Sequence, residues 1–193
     1  SSERIVEKAT LLQQTIKRDF NISNPRIAIL ALNPKNNEDT SCGNEEKDII
    51  IPAIDTLANK GIQAFGPYAA DDFFGNGDFH EFDGVMAMYH DQATAPFKSI
   101  NDGRGVIYTA GMPIIRTSAD IAPGYEIAGT NSADESSFRN AVYLAIDTFR
   151  NRINYDEACE NPLPKLYHEK RDDSEKVRFS IPKKKTDSPE PKR

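Results

Sequence analysis

The densest group of chemically capable residues in this 193-residue chain lies between Met88 and Lys98. His90, Asp91 and Gln92 follow one another directly, and Lys98 comes after a turn bounded by proline. An imidazole beside a carboxylate suits a metal site or general acid–base chemistry, and a lysine can anchor an anionic ligand. The alternative is that His90 and Asp91 form a hydrogen-bonded structural pair at the end of a strand.

Alternating strands and helices are predicted around this segment. Short apolar runs predict strands at residues 26–32, 62–67, 82–90, 105–111 and 112–118. Apolar residues at helical spacing predict helices at residues 2–20, 45–60 and 133–152. This order of elements predicts an α/β fold in which a sheet carries helices on its faces.

The ligand site of such a sheet is expected in the loops that follow its strands. The loops that we assign to it are residues 33–46, 68–80, 90–104 and 118–130. The chain contains neither a GxGxxG fingerprint nor a Walker A motif. The sequence therefore does not show which residues would bind a nucleotide cofactor.

Composition divides the chain into three parts. Residues 1–25 form the predicted N-terminal helix and a turn, and residues 26–153 form the α/β domain. Residues 154–193 are predicted to be an extended, basic, proline-rich tail whose end is disordered. Residues 161–193 carry ten basic and six acidic residues, although the whole chain has a formal charge of −6. The acidic body argues against nucleic-acid binding, while the tail stays open as an arm that binds a partner.

The sequence does not suggest a membrane protein, a disulfide framework or a zinc finger. No apolar run approaches the roughly 20 residues of a membrane helix, so no membrane association is expected. Cys42 and Cys159 are far apart and lie outside any CxxC or Cys/His cluster, which argues against a disulfide framework and a zinc finger. We expect a soluble protein of a reducing compartment, the cytoplasm.

Several longer stretches carry a specific resemblance. They are IAILALNP (27–34), NEEKDIIIPAI (44–54), GPYAADDFF (66–74), FHEFDGVMAMYHDQ (79–92), APFK (95–98), GVIYTAGMPIIRTSAD (105–120) and FRNAVYLAIDTFRNR (138–152). From about Arg26 to Arg152, the chain resembles the C-terminal half of the 4-hydroxythreonine-4-phosphate dehydrogenase family of vitamin B6 synthesis. The segment that begins NPLPKLYHEK is similar to a C-terminal extension found on some members.

The resemblance implies a fold similar to that of the isocitrate and isopropylmalate dehydrogenases, an α/β/α layered sheet, in a homodimer. It implies NAD-dependent oxidation of 4-phosphohydroxy-L-threonine, a small phosphorylated hydroxy amino acid, followed by decarboxylation. It also implies a divalent metal, most often zinc, held by three histidines. Such a metal would lower the pKa of the substrate hydroxyl and stabilise the charge that develops on oxygen.

Five residues match functional positions of the family or lie beside them. His90 matches the histidine of a YHDQ motif and would be a metal ligand. Lys98 and Arg116 match a substrate-binding lysine and arginine, which would bind phosphate and carboxylate. Asp91 is a neighbouring carboxylate that would orient or tune the site, and Asp71 is a weaker candidate. The alternatives are that Lys98 is only solvated and that Arg116 pairs with an acidic loop.

The chain departs from the family pattern in the loops expected to face the ligand. Lys35 occupies the position of a second metal histidine, and its ammonium group would repel a divalent cation. Ile107 stands where the family has a substrate-contacting asparagine. Ile121 lies where a DHGTA-like loop has its histidine, and Ala93 replaces a glycine. His80 and His168 match no ligand position, and we interpret both as surface or structural residues.

Two hypotheses follow from these matches and departures. The first is a dehydrogenase that is active only together with the N-terminal half of the family, because that half supplies a further histidine and much of the pocket. The second is a non-catalytic α/β domain that keeps the scaffold for ligand binding or assembly. A dimer interface that uses the helix at 2–20 and the segment 161–182 is a related expectation.

Overall fold

A computed structural model describes residues 1–37 and 42–163. Its helices are α1 (Ser2–Asp19), α2 (Ile51–Asn59), α3 (Ala70–Gly75), α4 (His90–Asn101) and α5 (Ser136–Glu160). Its strands are β1 (Ile27–Leu30), β2 (Ala64–Tyr68), β3 (Gly84–Met86), β4 (Val106–Tyr108) and β5 (Thr117–Ala119). The chain divides into two units, residues 1–161 and 162–193, and these elements all belong to the first.

A three-stranded parallel sheet forms the centre of the first unit. Its strand order is β2-β1-β3, so β1 is the middle strand. All four residues of β1 are fully buried, as expected of a parallel strand covered on both faces. The α/β/α layered fold predicted from the sequence is therefore confirmed.

Alternate residues of β1 supply two separate apolar clusters. Ile27 and Ile29 face α1 and α2, where they pack with buried side chains that include Ala9 of α1 and Leu57 of α2. On the opposite face, Leu30 packs with Ala28, Phe73 and an aromatic group that includes Phe74, Phe79 and Phe82. Both faces of this sheet are thus covered by residues of the chain itself.

A separate two-stranded antiparallel sheet packs against α5. Strands β4 and β5 pair with Tyr108 opposite Thr117. The strand predicted at 105–111 is confirmed in its centre, but the one predicted at 112–118 begins only at Thr117, because residues 109–116 form an irregular connection. The Ser137 hydroxyl of α5 donates to the carbonyl of Gly105 at 2.5 Å, and the Thr117 hydroxyl donates to the carbonyl of Ala141 at 2.9 Å. The small, polar side of α5 is therefore the side that contacts this sheet.

A buried charged network joins α1, β4 and α5. The Arg152 guanidinium donates to both carboxylate oxygens of Asp19, at 2.7 and 3.1 Å, and to the Tyr108 hydroxyl at 2.9 Å. The Tyr108 hydroxyl in turn donates to Asp19 at 2.5 Å. Burial, together with the hydrogen bond and charge of Asp19, raises the pKa of Tyr108 to about 12. The network ties α1, which also packs on the parallel sheet, to the two-stranded sheet and α5.

The structure differs from the sequence predictions in several places, among them the predicted loop at 68–80, which contains α3. The segment after His90 was expected to be a loop with a proline-bounded turn, but residues 90–101 form α4 and Pro96 lies inside that helix. The last helix continues to Glu160, so residues 154–160 are helical although the tail was predicted to begin at 154. The predicted tail beyond residue 163 lies outside the described residues.

Candidate functional site

The carboxyl ends of β1 and β3 lie side by side at one edge of the parallel sheet. Lys35 follows β1 in a short 3-10 turn, and His90 follows β3 as the first residue of α4. Both side chains are exposed. Because ligands of open α/β sheets bind outside the carboxyl ends of strands, this edge is the candidate site. The two positions that the family resemblance assigned to metal ligands are therefore at the same edge.

Gln92 holds this edge together. Its side-chain oxygen accepts from the Met88 backbone N–H at 2.8 Å, and its side-chain nitrogen donates to the Ala31 carbonyl at 2.7 Å. Gln92 is 8% exposed, so both hydrogen bonds are sheltered from water. The side-chain amide of Gln92 thus bridges the segments after β1 and β3. Because α4 begins at His90, two residues before Gln92, the same amide fixes the start of that helix. Gln92 therefore fixes the backbone from which the His90 side chain projects.

A buried carboxylate organises the loop after β1. Glu46 accepts hydrogen bonds from the Asn33 backbone N–H at 2.7 Å and from the Asn33 side chain at 3.1 Å. The same Asn33 amide also donates to Glu45 at 2.8 Å. Burial opposes ionisation of Glu46, but the hydrogen bonds from Asn33 hold its pKa below the ordinary glutamate value. Glu46 therefore stays ionised while fixing the start of the loop that contains Lys35.

Replacing Glu46 with Gln is expected to remove a pH-dependent part of the stability. Because the folded-state pKa of Glu46 is lowered, its stabilising effect is fully present above the ordinary glutamate pKa of about 4.3 and is lost as the pH falls below it. The wild type is therefore more stable than Glu46→Gln at pH 7, and the difference narrows towards pH 3. Urea unfolding at a series of pH values measures it.

The control for this measurement is Glu157→Gln, because Glu157 is exposed on α5. The free energy of unfolding of Glu157→Gln should differ little from that of the wild type, and this difference should be nearly constant over the same pH range. If the free energy of unfolding of Glu46→Gln also differs from that of the wild type by the same amount at every pH, Glu46 is not an ionised buried carboxylate.

Lys98 and Arg116 lie at opposite ends of the two-stranded sheet. The Lys98 ammonium is 3.7 Å from the carboxylate of Asp120, the residue after β5. The Arg116 guanidinium, from the residue before β5, donates to the Thr109 hydroxyl at 2.8 Å. Arg116 and Asp120 are four residues apart along a strand, which separates their backbones by about 13 Å. Both cations are exposed, and each is held by one side chain.

The remaining candidate residues lie on three different elements. Asp91 is exposed in the first turn of α4, where the helix dipole favours a carboxylate, and no hydrogen bond joins it to His90 in the described structure. Asp71 is exposed in the first turn of α3. The His80 ring lies against the Phe79 ring at a tilt of 35°, with 4.1 Å between ring centroids, and His168 lies outside the described residues.

The ligand set implied by the family resemblance does not form within the described chain. Among residues 1–37 and 42–163, no three His, Cys, Asp or Glu side chains come close enough together to hold a metal ion. A tight zinc site takes at least three protein ligands, and His90 brings one imidazole to an edge where Lys35 brings a cation. These residues by themselves do not fit the three-histidine metal site.

Two important residues of the site were not identified as such from the sequence. Glu46 lies within a predicted helix, and its hydrogen bonds to Asn33 cross a loop that periodicity does not describe. Gln92 was noted beside His90, but its hydrogen bond to Ala31 spans 61 residues. The available signals were an Asn directly after a buried strand and a Glu-Glu pair before an apolar helix.

A family model and curated relatives match the chain over most of its length. The model described as "Pyridoxal phosphate biosynthetic protein PdxA" matches residues 1–145. The chain belongs to the PdxA family. A 4-hydroxythreonine-4-phosphate dehydrogenase of Bacteroides thetaiotaomicron is 51% identical over 179 residues, which is 93% of this chain and 49% of the relative. That of Desulforapulum autotrophicum is 44% identical over 78% of this chain and 45% of the relative.

Solved structures of two dehydrogenases share the fold of this chain. A 4-hydroxythreonine-4-phosphate dehydrogenase from Klebsiella pneumoniae superposes with a TM-score of 0.66 at 34% identity, over 77% of this chain and 44% of that one. A terephthalate 1,2-cis-dihydrodiol dehydrogenase from Burkholderia xenovorans gives a TM-score of 0.58 at 26% identity. This PdxA-family chain thus spans about half the length of the curated relatives that it matches. Among its described residues, none of the helices is long and apolar enough to span a membrane.

Proposed function

We propose that this chain serves as the C-terminal half of an NAD-dependent dehydrogenase that oxidises 4-phosphohydroxy-L-threonine, in a homodimeric, cytoplasmic enzyme. The observation that carries the proposal is the 51% identity to a 4-hydroxythreonine-4-phosphate dehydrogenase over 179 residues, combined with His90 at the carboxyl edge of the sheet. Turnover requires the other half of the fold, because the described residues do not assemble a metal site.

The charged residues around the two-stranded sheet support binding of this class of substrate. Lys98 and Arg116 are exposed cations, and the substrate carries two anionic groups, a phosphate and a carboxylate. Each cation can form charge-assisted hydrogen bonds with one of those anionic groups. In this proposal His90 is the metal-binding residue of this half, and Asp91 is the carboxylate that orients the ligand.

The test is NAD reduction with 4-phosphohydroxy-L-threonine and zinc, followed by absorbance. The chain alone should be inactive, and the chain co-expressed with the first half of the Bacteroides thetaiotaomicron relative should turn over. His90→Ala should abolish that turnover, whereas His80→Ala should retain it, because His80 precedes β3 and so lies towards the amino end of that strand, whereas His90 follows its carboxyl end. Turnover that survives His90→Ala would contradict the proposal, and so would inactivity of the co-expressed pair.

A second candidate function is a non-catalytic domain that binds a ligand or assists assembly. Three observations favour it: Lys35 stands at the second histidine position, and Ile107 and Ile121 are exposed where the family pattern has polar residues. If this second function is correct, the chain should bind substrate or assist assembly without turnover, even when it is co-expressed with the first half of the relative. The same co-expression assay therefore separates the two functions.

Replacing Lys35 with His is expected to strengthen zinc binding. The substitution removes a cation and adds a second imidazole at the edge that holds His90, so affinity should rise roughly tenfold or more. Competition with a chromophoric chelator measures the change in affinity. Lys60→His is the matched control, because Lys60 is exposed at the end of α2. If Lys35→His and Lys60→His raise the affinity for zinc equally, residues 35 and 90 do not lie at the same edge of the sheet.

A further inference from the structure

The two-stranded sheet has an inner face towards α5 and an outer face away from it. On the inner face, the Thr117 hydroxyl donates to a backbone carbonyl of α5 at 2.9 Å, and Tyr108, opposite Thr117, belongs to the buried charged network. Successive residues of a strand point to opposite faces, so Thr109 and Arg116, the next pair along, lie on the outer face. The hydrogen bonds of the inner face therefore fix the frame from which this outer pair projects.

Thr109 and Arg116 are the first and last residues of the irregular connection between β4 and β5. The Thr109 backbone N–H donates to the Arg116 carbonyl at 3.0 Å, which continues the strand pairing by one residue. On the outer face, Nη1 of the Arg116 guanidinium donates to the Thr109 hydroxyl at 2.8 Å. The backbone and the side chain of Arg116 are thus both held by the same residue.

The Thr109 hydroxyl holds the Arg116 guanidinium without neutralising its charge. Among residues 1–37 and 42–163, no carboxylate forms an ion pair with Arg116, so the alternative of pairing with an acidic loop is not found there. The Lys98 ammonium, in contrast, lies 3.7 Å from the Asp120 carboxylate. A guanidinium carries several N–H donors, so those that Thr109 does not use remain available to the oxygens of a carboxylate or phosphate.

The outer face also carries positions that the family resemblance assigned to the substrate. Ile107, two residues before Thr109, lies on this face and is 47% exposed. Asp120, which pairs with Lys98, lies on the same face of the sheet, because the strand pairing extends to its backbone N–H. An isoleucine side chain forms no hydrogen bond, so polar recognition on this face depends more strongly on how the cations are oriented.

We propose that Thr109 is a positioning residue of the substrate site: its hydroxyl orients the Arg116 guanidinium so that the remaining donors meet an anionic group of the substrate. The inference rests on the proposed function, because it takes the phosphorylated hydroxy amino acid as the ligand. A guanidinium that is already oriented loses less conformational freedom on binding. Removing the hydroxyl therefore weakens the binding of substrate and transition state alike, which raises KM and leaves kcat nearly unchanged.

The experiment compares Thr109→Val with Thr109→Ser in the chain co-expressed with the first half of the Bacteroides thetaiotaomicron relative. Valine keeps the β-branched shape and loses the hydroxyl, so the KM for 4-phosphohydroxy-L-threonine should rise about tenfold while kcat stays within about twofold of the wild type. Serine keeps the hydroxyl, and its KM should stay close to that of the wild type. Thr56→Val is the matched control, because it removes an exposed hydroxyl from α2 and should change neither constant.

A double variant separates positioning from a general loss of structure. In an Arg116→Ala background, Thr109→Val should raise KM little further, because no guanidinium remains to be oriented. Titration calorimetry of the same preparations with 4-phosphohydroxy-L-threonine, in the absence of NAD, measures the affinity independently of turnover. Thr109→Val should lose about as much affinity as it gains in KM.

The two readouts keep failure of this inference distinct from failure of the dehydrogenase proposal. If the wild type binds substrate without turnover, the dehydrogenase proposal fails and the affinities alone decide the role of Thr109. Unchanged affinity in Thr109→Val would overturn that role, and so would an equal loss in Thr109→Ser. Losses that add fully to those of Arg116→Ala, or a wild type that binds no substrate, would overturn it as well.

Discussion

Replacing Arg152 with Met lowers the free energy of unfolding by about 3–5 kcal/mol, because the Asp19 carboxylate is then buried without its counter-ion. The side chains of Arg152 and Asp19 are only 10% and 4% exposed, so water cannot replace the lost hydrogen bonds. Arg152 also donates to the carbonyls of Met112 and Pro113 at 3.4 Å, which lose a donor. Urea unfolding at pH 7, followed by circular dichroism, measures the loss.

Arg18→Met is the matched control, because Arg18 pairs with Asp156 across the same two helices but on the surface. Their side chains are 41% and 51% exposed, and exposed ion pairs contribute about 0–1 kcal/mol. Replacing the whole buried network with Asp19→Leu, Tyr108→Phe and Arg152→Met should recover much of the loss, since no charge then stays unpaired. If Arg18→Met and Arg152→Met lower the free energy of unfolding by similar amounts, burial does not determine the contribution of the Asp19–Arg152 network.

Replacing Gln92 with Leu is the second substitution from which we expect a large effect, about 2–4 kcal/mol of unfolding free energy. It leaves the Met88 N–H and the Ala31 carbonyl without partners in a sheltered position, and each such group costs about 1–3 kcal/mol. The start of α4 should loosen as well, which amide hydrogen exchange at residues 88–92 would detect. His90 would then lose its fixed place at the sheet edge.

Gln14→Leu is the control for this substitution, because Gln14 is exposed on α1 and its replacement should change stability by less than about 0.5 kcal/mol. Gln92→Glu keeps an acceptor for Met88 but loses the donor to Ala31, so an intermediate loss is expected. Unchanged exchange rates at residues 88–92 in Gln92→Leu would contradict the role of Gln92 as the link between β1 and β3.

Local sequence patterns were sufficient to predict most of the elements. The spacing of Ile5, Ala9 and Ile16 predicts α1, and the apolar run around Ile29 predicts a strand buried on both faces. These signals work because a helix or a buried strand presents its apolar residues at a fixed period. The position of His90 after a strand also follows from its neighbours, since an apolar run ends directly before it.

Features that depend on distant contacts were not predictable in the same way. The salt bridge between Asp19 and Arg152 joins residues that no local pattern connects, and Pro96 inside α4 was interpreted as part of a turn. The apolar phase of α5 was found correctly, but the periodicity does not reveal that Phe138 and Phe149 stay exposed while Thr148 is buried. A period identifies an apolar face and says nothing about what covers it.

The Asp19–Arg152 pair also imposes an order on the biogenesis of the protein. The two residues are separated by 133 positions, and α1 is synthesised long before α5 leaves the ribosome. Until α5 is synthesised, Asp19 lacks its guanidinium partner, and burying its unpaired carboxylate would be unfavourable. Helix α1 therefore docks on the parallel sheet while this carboxylate is still exposed to water. The parallel-sheet unit can collapse early during translation, and the closing of α1 against the two-stranded sheet follows the synthesis of α5.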